Sequence, residues 1–66
     1  MATKLKVFRK MNIWNYSDII TMYDTEGNEI EITSETKRRE MNNKEVICWK
    51  LGLKNGIVTL EIVLNV

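Results

Sequence analysis

The chain has 66 residues, of which 44% are apolar and 29% charged, and its formal net charge is +1. A chain of this length predicts one small domain, residues 1–66, which buries only about 60% of the surface that its unfolded form exposes. The near-zero net charge favours neither nucleic acid nor a membrane surface as a partner. The apolar fraction argues against a disordered chain, and no apolar run is long enough to span a bilayer.

Few means of stabilising so small a domain are present in the sequence. Cys48 is the only cysteine and histidine is absent, so an intrachain disulfide is excluded and no structural zinc site, other metal or cofactor is expected. Stability must then come from close packing or from oligomerisation. A free thiol predicts a cytoplasmic protein. The frequent Ile, Lys and Asn residues, with a single alanine, are typical of a low-GC bacterium, phage or mobile element.

The N-terminal segment, residues 4–14, is compatible with two structures. As a strand, its first face, interrupted by Arg9, would carry the apolar side chains Leu5, Val7, Met11 and Ile13. Its other face would interleave cations with aromatic rings, namely Lys4, Lys6, Phe8, Lys10 and Trp14. As a helix, the segment would show an apolar stripe of Val7, Phe8, Met11 and Trp14. We predict the strand, because two hairpins need a further strand to close a core.

Residues 18–33 predict a hairpin. The stretch Asp24-Thr25-Glu26-Gly27 fits a type I turn, in which Gly27 takes the left-handed conformation of a G1 bulge. The resulting register places Met22 opposite Ile30 and carries the apolar side chains of both strands to one face. The other face is mostly polar, so we expect this hairpin to bury one face and to expose the other to water.

Residues 34–44 are mainly polar and predict a short helix at 35–41. Ser34 would cap this helix, and Asn42-Asn43 would end it. Met41 is its only plainly apolar side chain, so such a helix would pack poorly. A polar loop is equally compatible with this stretch.

The last hairpin is centred on Asn55-Gly56, the pair that most readily supplies the two positive φ angles of a type I′ turn. A two-residue loop fixes the register, and Lys50 then lies opposite Glu61 as a cross-strand ion pair. On the other face the register pairs apolar residues with one another: Leu53 with Val58, Leu51 with Leu60, Trp49 with Ile62, and Ile47 with Leu64.

A second apolar face remains on this hairpin, formed by Val46, Cys48, Ile57 and Val63. Three covers are compatible with it: closure of the sheet into a barrel, the segment 34–44, or another chain. We predict another chain, with these four residues in the interface of a homo-oligomer, most simply a dimer. The reason is that a small chain without a disulfide or a metal gains stability by association.

Together these elements predict an all-β fold. It would contain about five strands, in two hairpins plus the N-terminal strand, arranged as a small barrel or a curled antiparallel sheet with a short helix at 35–41. Because a fold of this kind hosts many functions, the function has to be argued from the side chains.

Few side chains are suited to catalysis. Without histidine, acid–base chemistry would fall on carboxylates such as Glu29 and Glu31, which share one strand face and are interpreted as an ordinary solvated surface. Cys48 has no histidine to activate it and is expected to pack as a small apolar residue. The sequence therefore predicts a protein that is not an enzyme.

Two binding functions remain. We predict protein–protein binding, as a regulatory or accessory factor with an unidentified protein partner. The alternative is a nucleic-acid-binding module, in which cations follow the phosphate backbone while aromatic rings stack on bases. That module would use Lys4, Lys6, Phe8, Lys10 and Trp14. It competes with a simpler arrangement, in which the basic first strand lies beside the acidic hairpin 18–33 and forms cross-strand ion pairs with it.

Overall fold

The computed structural model describes residues 3–66, which form one open sheet and three short helices. The elements in chain order are β1 (Thr3–Lys4), α1 (Leu5–Phe8), α2 (Asn12–Tyr16), β2 (Ile19–Tyr23), α3 (Glu35–Asn42), β3 (Glu45–Lys54) and β4 (Ile57–Leu64). The sheet has the strand order β1-β3-β4-β2. β3 is antiparallel to β1 and β4, whereas β2 runs parallel to β4. The predominance of strand is confirmed, but the predicted barrel or purely antiparallel sheet is wrong, because the sheet is mixed and does not close.

The hairpin of β3 and β4 forms as its turn predicts. Asn55 and Gly56 have φ angles of 53° and 78°, the two positive values that a type I′ turn requires. The predicted register is confirmed from the turn as far as the pair Cys48 and Val63. Lys50 lies opposite Glu61, with 3.7 Å between Nζ and Oε1.

A β-bulge interrupts this register near the start of β3. Leu64 lies opposite Val46 rather than Ile47, which is the extra residue between Val46 and Cys48. The predicted pair of Ile47 with Leu64 is therefore wrong, and so is the assignment of Val46 to the second face. The inserted residue reverses the alternation, and Val46 packs against the buried core.

The N-terminal segment is helical after its first residues, so the predicted strand over 4–14 is wrong. Within its described part, from residue 3 onward, only Thr3 and Lys4 pair with β3, and the chain then turns into α1 and α2. Leu5 and Phe8 are both 2% exposed. A strand would point these two residues to opposite faces, whereas a helical turn places positions three apart on the same side. Burial of both side chains under one helical turn explains the difference.

The hairpin predicted at 18–33 forms only in part. Its turn is confirmed, because Gly27 has a φ of 87° and the Asp24 N–H donates to the Asn28 carbonyl at 2.9 Å. The second strand is reduced to a single bridge between Tyr23 and Glu29. Ile30 donates its N–H to the Met22 carbonyl and packs against the core, and no strand follows it before α3. Burial of its side chain replaces continued strand pairing.

The predicted helix at 35–41 is confirmed and extends to Asn42. The Lys37 N–H donates to the Ser34 Oγ at 3.1 Å, which is the expected N-cap. Met41 packs into the core, whose buried members lie between the helices and one face of the sheet. They are Leu5, Phe8, Met41, Leu60, Ile62 and Leu64.

The two faces of the sheet differ accordingly. The helix-covered face carries the core residues Leu60 and Ile62 of β4. The opposite face, called the open face here, carries Lys50 and Glu61, and none of its residues belongs to the core cluster. The fold is thus one sheet with a helical layer on a single side.

Candidate protein-binding edge of the sheet

The outer edge of β3 is the longest unpaired edge in the described part of the chain. β1 covers this edge only at Glu45 and Val46. No strand among residues 3–66 pairs with it from Ile47 to Lys54. An unpaired strand edge presents backbone donors and acceptors on which another strand can form.

The hairpin geometry determines which backbone groups point outward. In a two-residue type I′ hairpin the residues that flank the turn form a hydrogen-bonded pair, so Lys54 directs its N–H and C=O toward β4. Alternation then directs the N–H and C=O groups of Trp49, Leu51 and Leu53 away from β4, toward the outer edge. These groups recur every second residue, about 6.8 Å apart along the strand.

The side chains of the same three residues are apolar and exposed. Trp49, Leu51 and Leu53, called the edge row here, project from the helix-covered face and are 46%, 45% and 74% exposed. Leu60 and Ile62, opposite Leu51 and Trp49, are fully buried, and Val58, opposite Leu53, is half-buried. The helical layer therefore covers β4 but leaves the edge row of β3 exposed to solvent.

The edge row is continuous with the core at its Trp49 end. The rings of Phe8 and Trp49 have centroids 6.0 Å apart and planes inclined at 57°, a favourable tilted contact. Phe8 belongs to α1, so the helical layer contacts the edge row at Trp49 through this ring. A segment placed beside β3 would extend both the sheet and this apolar surface.

The opposite edge of the sheet is partly closed by the chain itself. The Ile30 N–H donates to the Met22 carbonyl at 2.8 Å, and Tyr23 forms its bridge with Glu29. These contacts pair the C-terminal half of β2. The two edges of the sheet are therefore unequal, and the edge of β3 is the more available one.

The structure does not assemble the predicted basic and aromatic set on one surface. Phe8 is buried and cannot stack on a base. Trp14 is half-buried beneath the Arg9 guanidinium, which lies 5.5 Å from its ring centroid. The three lysines of the set are exposed but lie in different parts of the segment. Lys4 is in β1, Lys6 is in α1, and Lys10 follows α1.

The predicted oligomer interface is likewise divided. Cys48 and Val63 are paired on the open face, and Ile57 lies on the same face. Val46 lies on the helix-covered face because of the bulge. Cys48 is exposed rather than packed as predicted, so the open face offers three members of the set without the fourth.

The described residues show no metal site and no membrane-spanning helix. Within residues 3–66, no group of three or more acidic or cysteine side chains is placed to hold a metal ion. Glu29 and Glu31 are exposed. In the same range, no helix has the length and apolar character needed to cross a bilayer.

A small cavity of about 180 Å³ lies beneath the helices. Its two cations already have partners. Arg9 donates to Asn42 Oδ1 at 3.0 Å, and Arg38 lies 3.8 Å from Glu35. We therefore assign no ligand to this cavity.

Comparison with protein-family models, curated proteins and solved structures gave no significant match. The candidate site therefore rests on its own geometry. Sequence reasoning placed the edge row on an apolar face of the last hairpin but did not predict its exposure. One signal was overlooked. β3 carries more apolar side chains than the short, mainly polar helices could cover.

Proposed function

We propose that this protein is a non-enzymatic binding protein that accepts an extended polypeptide segment along the outer edge of β3. One observation supports the proposal above all. The residues whose backbone groups face outward, Trp49, Leu51 and Leu53, are also those whose apolar side chains are exposed.

This coincidence supplies both parts of recognition by strand addition. Backbone hydrogen bonds to the edge give affinity, and contacts of alternate side chains give specificity. The preferred ligand would carry apolar residues at every second position, because those side chains would lie beside the edge row. Its intervening residues would lie on the open face, where small side chains opposite Lys50 and Lys54 avoid like-charge contacts.

A direct test uses the isotopically labelled protein and a synthetic peptide of residues 45–54 with serine in place of Cys48. We expect amide shifts at Trp49, Leu51 and Leu53, because the peptide pairs with those N–H groups. A matched peptide with threonine at its three edge-row positions retains strand propensity but lacks the apolar row. We expect it to bind more weakly.

A pair of variants separates the edge from the open face. Leu53→Glu places a charge in the edge row, at its most exposed member, and should weaken peptide binding. Ile57→Glu makes the same change at the same end of the hairpin but on the open face, and should leave binding unchanged. Equal effects of the two variants, or peptide-induced shifts confined to β2, would contradict the proposal.

A further inference from the structure

We infer that the segment bound at the edge of β3 is β3 of a second copy of this chain, paired antiparallel about a two-fold axis through Leu51. This inference rests on the proposed function of the edge and names its occupant. Two-fold pairing of like edges forms an isologous interface, in which the same surface of each chain covers the other.

The symmetry restricts the register. A two-fold axis perpendicular to the sheet keeps the helix-covered faces of both chains on the same side, so one residue must lie opposite its own copy. With Leu51 at the centre, Trp49 lies opposite the partner's Leu53, and the two edge rows form one continuous apolar strip. The outward N–H and C=O groups of all three edge-row residues are then hydrogen-bonded.

The charges on the open face favour this centre over its neighbours. With Leu51 on the axis, Lys50 lies opposite the partner's Gly52, and Lys54 lies opposite the partner's Cys48. A centre at Lys50 would place two copies of Lys50 directly opposite each other. A centre at Gly52 would oppose Lys50 and the partner's Lys54. Like charges placed opposite each other across a ladder are destabilising.

The ends of β3 disfavour the remaining centres. An axis through Trp49 would run the ladder into Glu45 and Val46, where β1 already occupies the edge. An axis through Leu53 would shorten the ladder, because the chain turns at Asn55. The Leu51 register therefore pairs the longest free stretch without a clash of charge.

Pairing of this kind stops at two chains. Joining two β3 edges yields a sheet six strands wide with a β2 strand at each side, and the two-residue β1 of each chain lies beside one end of β3. The outer edge of β2 is partly covered by the bridge of Tyr23 with Glu29 and the bond between Ile30 and Met22. The main free edge is thus consumed in the dimer, which limits further growth.

Cysteine scanning tests the register directly. In a background with Cys48→Ser, single cysteines are placed by Lys50→Cys, Leu51→Cys and Gly52→Cys, and each protein is exposed to oxidised glutathione. Two thiols join as one disulfide while the glutathione disulfide is reduced. We expect a covalent dimer from Leu51→Cys alone, because opposed residues have Cα atoms about 5.5 Å apart, within the disulfide range. Cross-linking at position 50 or 52 instead would overturn the register.

Light scattering tests the dimer without cross-linking. We expect the parent protein at tens of micromolar to have twice the chain mass of 7.8 kDa. Leu53→Glu should reduce it to the single mass, and Ile57→Glu should leave it dimeric. A dimer that survives Leu53→Glu but dissociates in Ile57→Glu would overturn the inference and return the interface to the open face, with Cys48 and Val63.

The two proposals fail in different ways. A monomeric parent that still binds the β3 peptide at the edge-row amides would overturn the second copy as occupant but retain the edge as a binding site. A monomeric parent that does not bind the peptide would overturn both.

Discussion

Gly56 is the residue whose backbone most restricts substitution. Its φ of 78° lies in the left-handed region, which a β-branched side chain enters only with strain. No neighbouring atom lies within 4 Å of a Cβ placed there, so the penalty is one of backbone conformation alone. We expect Gly56→Val to lower the free energy of unfolding by about 1–3 kcal/mol, measured by urea denaturation.

Gly52 provides the control within the same hairpin. It also has open space around its Cβ position, but without a positive φ, and glycine within a strand is itself unfavourable. Gly52→Val should therefore leave stability unchanged or raise it. If both substitutions destabilise equally, the turn conformation does not explain the cost at Gly56.

The carboxylate of Asp24 makes the stability of the turn at residues 24–28 depend on pH. Its Oδ1 accepts the N–H groups of Asn28 and Glu26, both at 2.9 Å. These bonds, that from Asn28 first, lower the pKa of the carboxyl below 3.8. A lowered pKa stabilises the folded protein above the unfolded value, and this contribution is lost as pH falls through the folded value.

We therefore expect Asp24→Asn to be less stable than the parent at pH 7, with a difference that narrows as the pH falls below about 4. Thermal unfolding of both proteins between pH 7 and acid pH measures this difference in stability. Glu26→Gln, which removes the same charge within the turn, serves as the control. A difference between Asp24→Asn and the parent that stays constant with pH would show that the charge does not contribute.

At the scale of the element, α3 depends on its cap because only one of its side chains is buried. Ser34 Oγ accepts the Lys37 N–H, and removal of such a cap costs about 0.5–2 kcal/mol. Ser34→Ala should lower the unfolding free energy by an amount in that range. Thr33→Ala, one residue outside the cap, should have little effect, and comparable losses in the two variants would contradict the capping role.

Elements with their own local signal could be predicted from the sequence. Asn55-Gly56 predicts the turn and most of the register of β3 and β4, and Ser34 with Asn42-Asn43 predicts both ends of α3. The bulge at Ile47 could not be predicted, because an inserted residue leaves the apolar alternation intact on either side of it. The segment after Lys4 matches strand and helix equally, and burial of Leu5 with Phe8 decides between them.

The overall fold depends on how distant segments pair and pack, which no local sequence pattern indicates. The parallel pairing of β2 with β4 joins segments far apart in the chain, and it leaves β3 at the exposed side of the sheet. The edge row was recognisable as an apolar face, yet its exposure follows from where the helices pack. Sequence patterns thus predict the residues of the candidate site but not that they form a surface.

The charge distribution of the whole chain bears on the alternative of nucleic-acid binding. The predicted cross-strand pairing of the basic segment with the acidic hairpin is wrong, because the ion pairs among residues 3–66 join Arg38 to Glu35 and Lys50 to Glu61. The cations Lys4, Lys6 and Lys10 are exposed. They remain available to phosphates, although Phe8 is buried and no longer available for stacking.

We expect binding to a short single strand to be purely electrostatic and therefore to vanish near physiological ionic strength, where charges more than about 8 Å apart are screened. Titration of a labelled oligonucleotide against salt measures this. Replacing Lys4, Lys6 and Lys10 with alanine should weaken any binding at low salt and make its salt slope shallower, by about 0.7 for each lost phosphate contact. A double alanine variant of Lys50 and Lys54, which removes cations from the open face instead, is the control. Binding by the parent that persists at 0.15 M salt, and that only the triple variant loses, would favour the nucleic-acid module over strand addition.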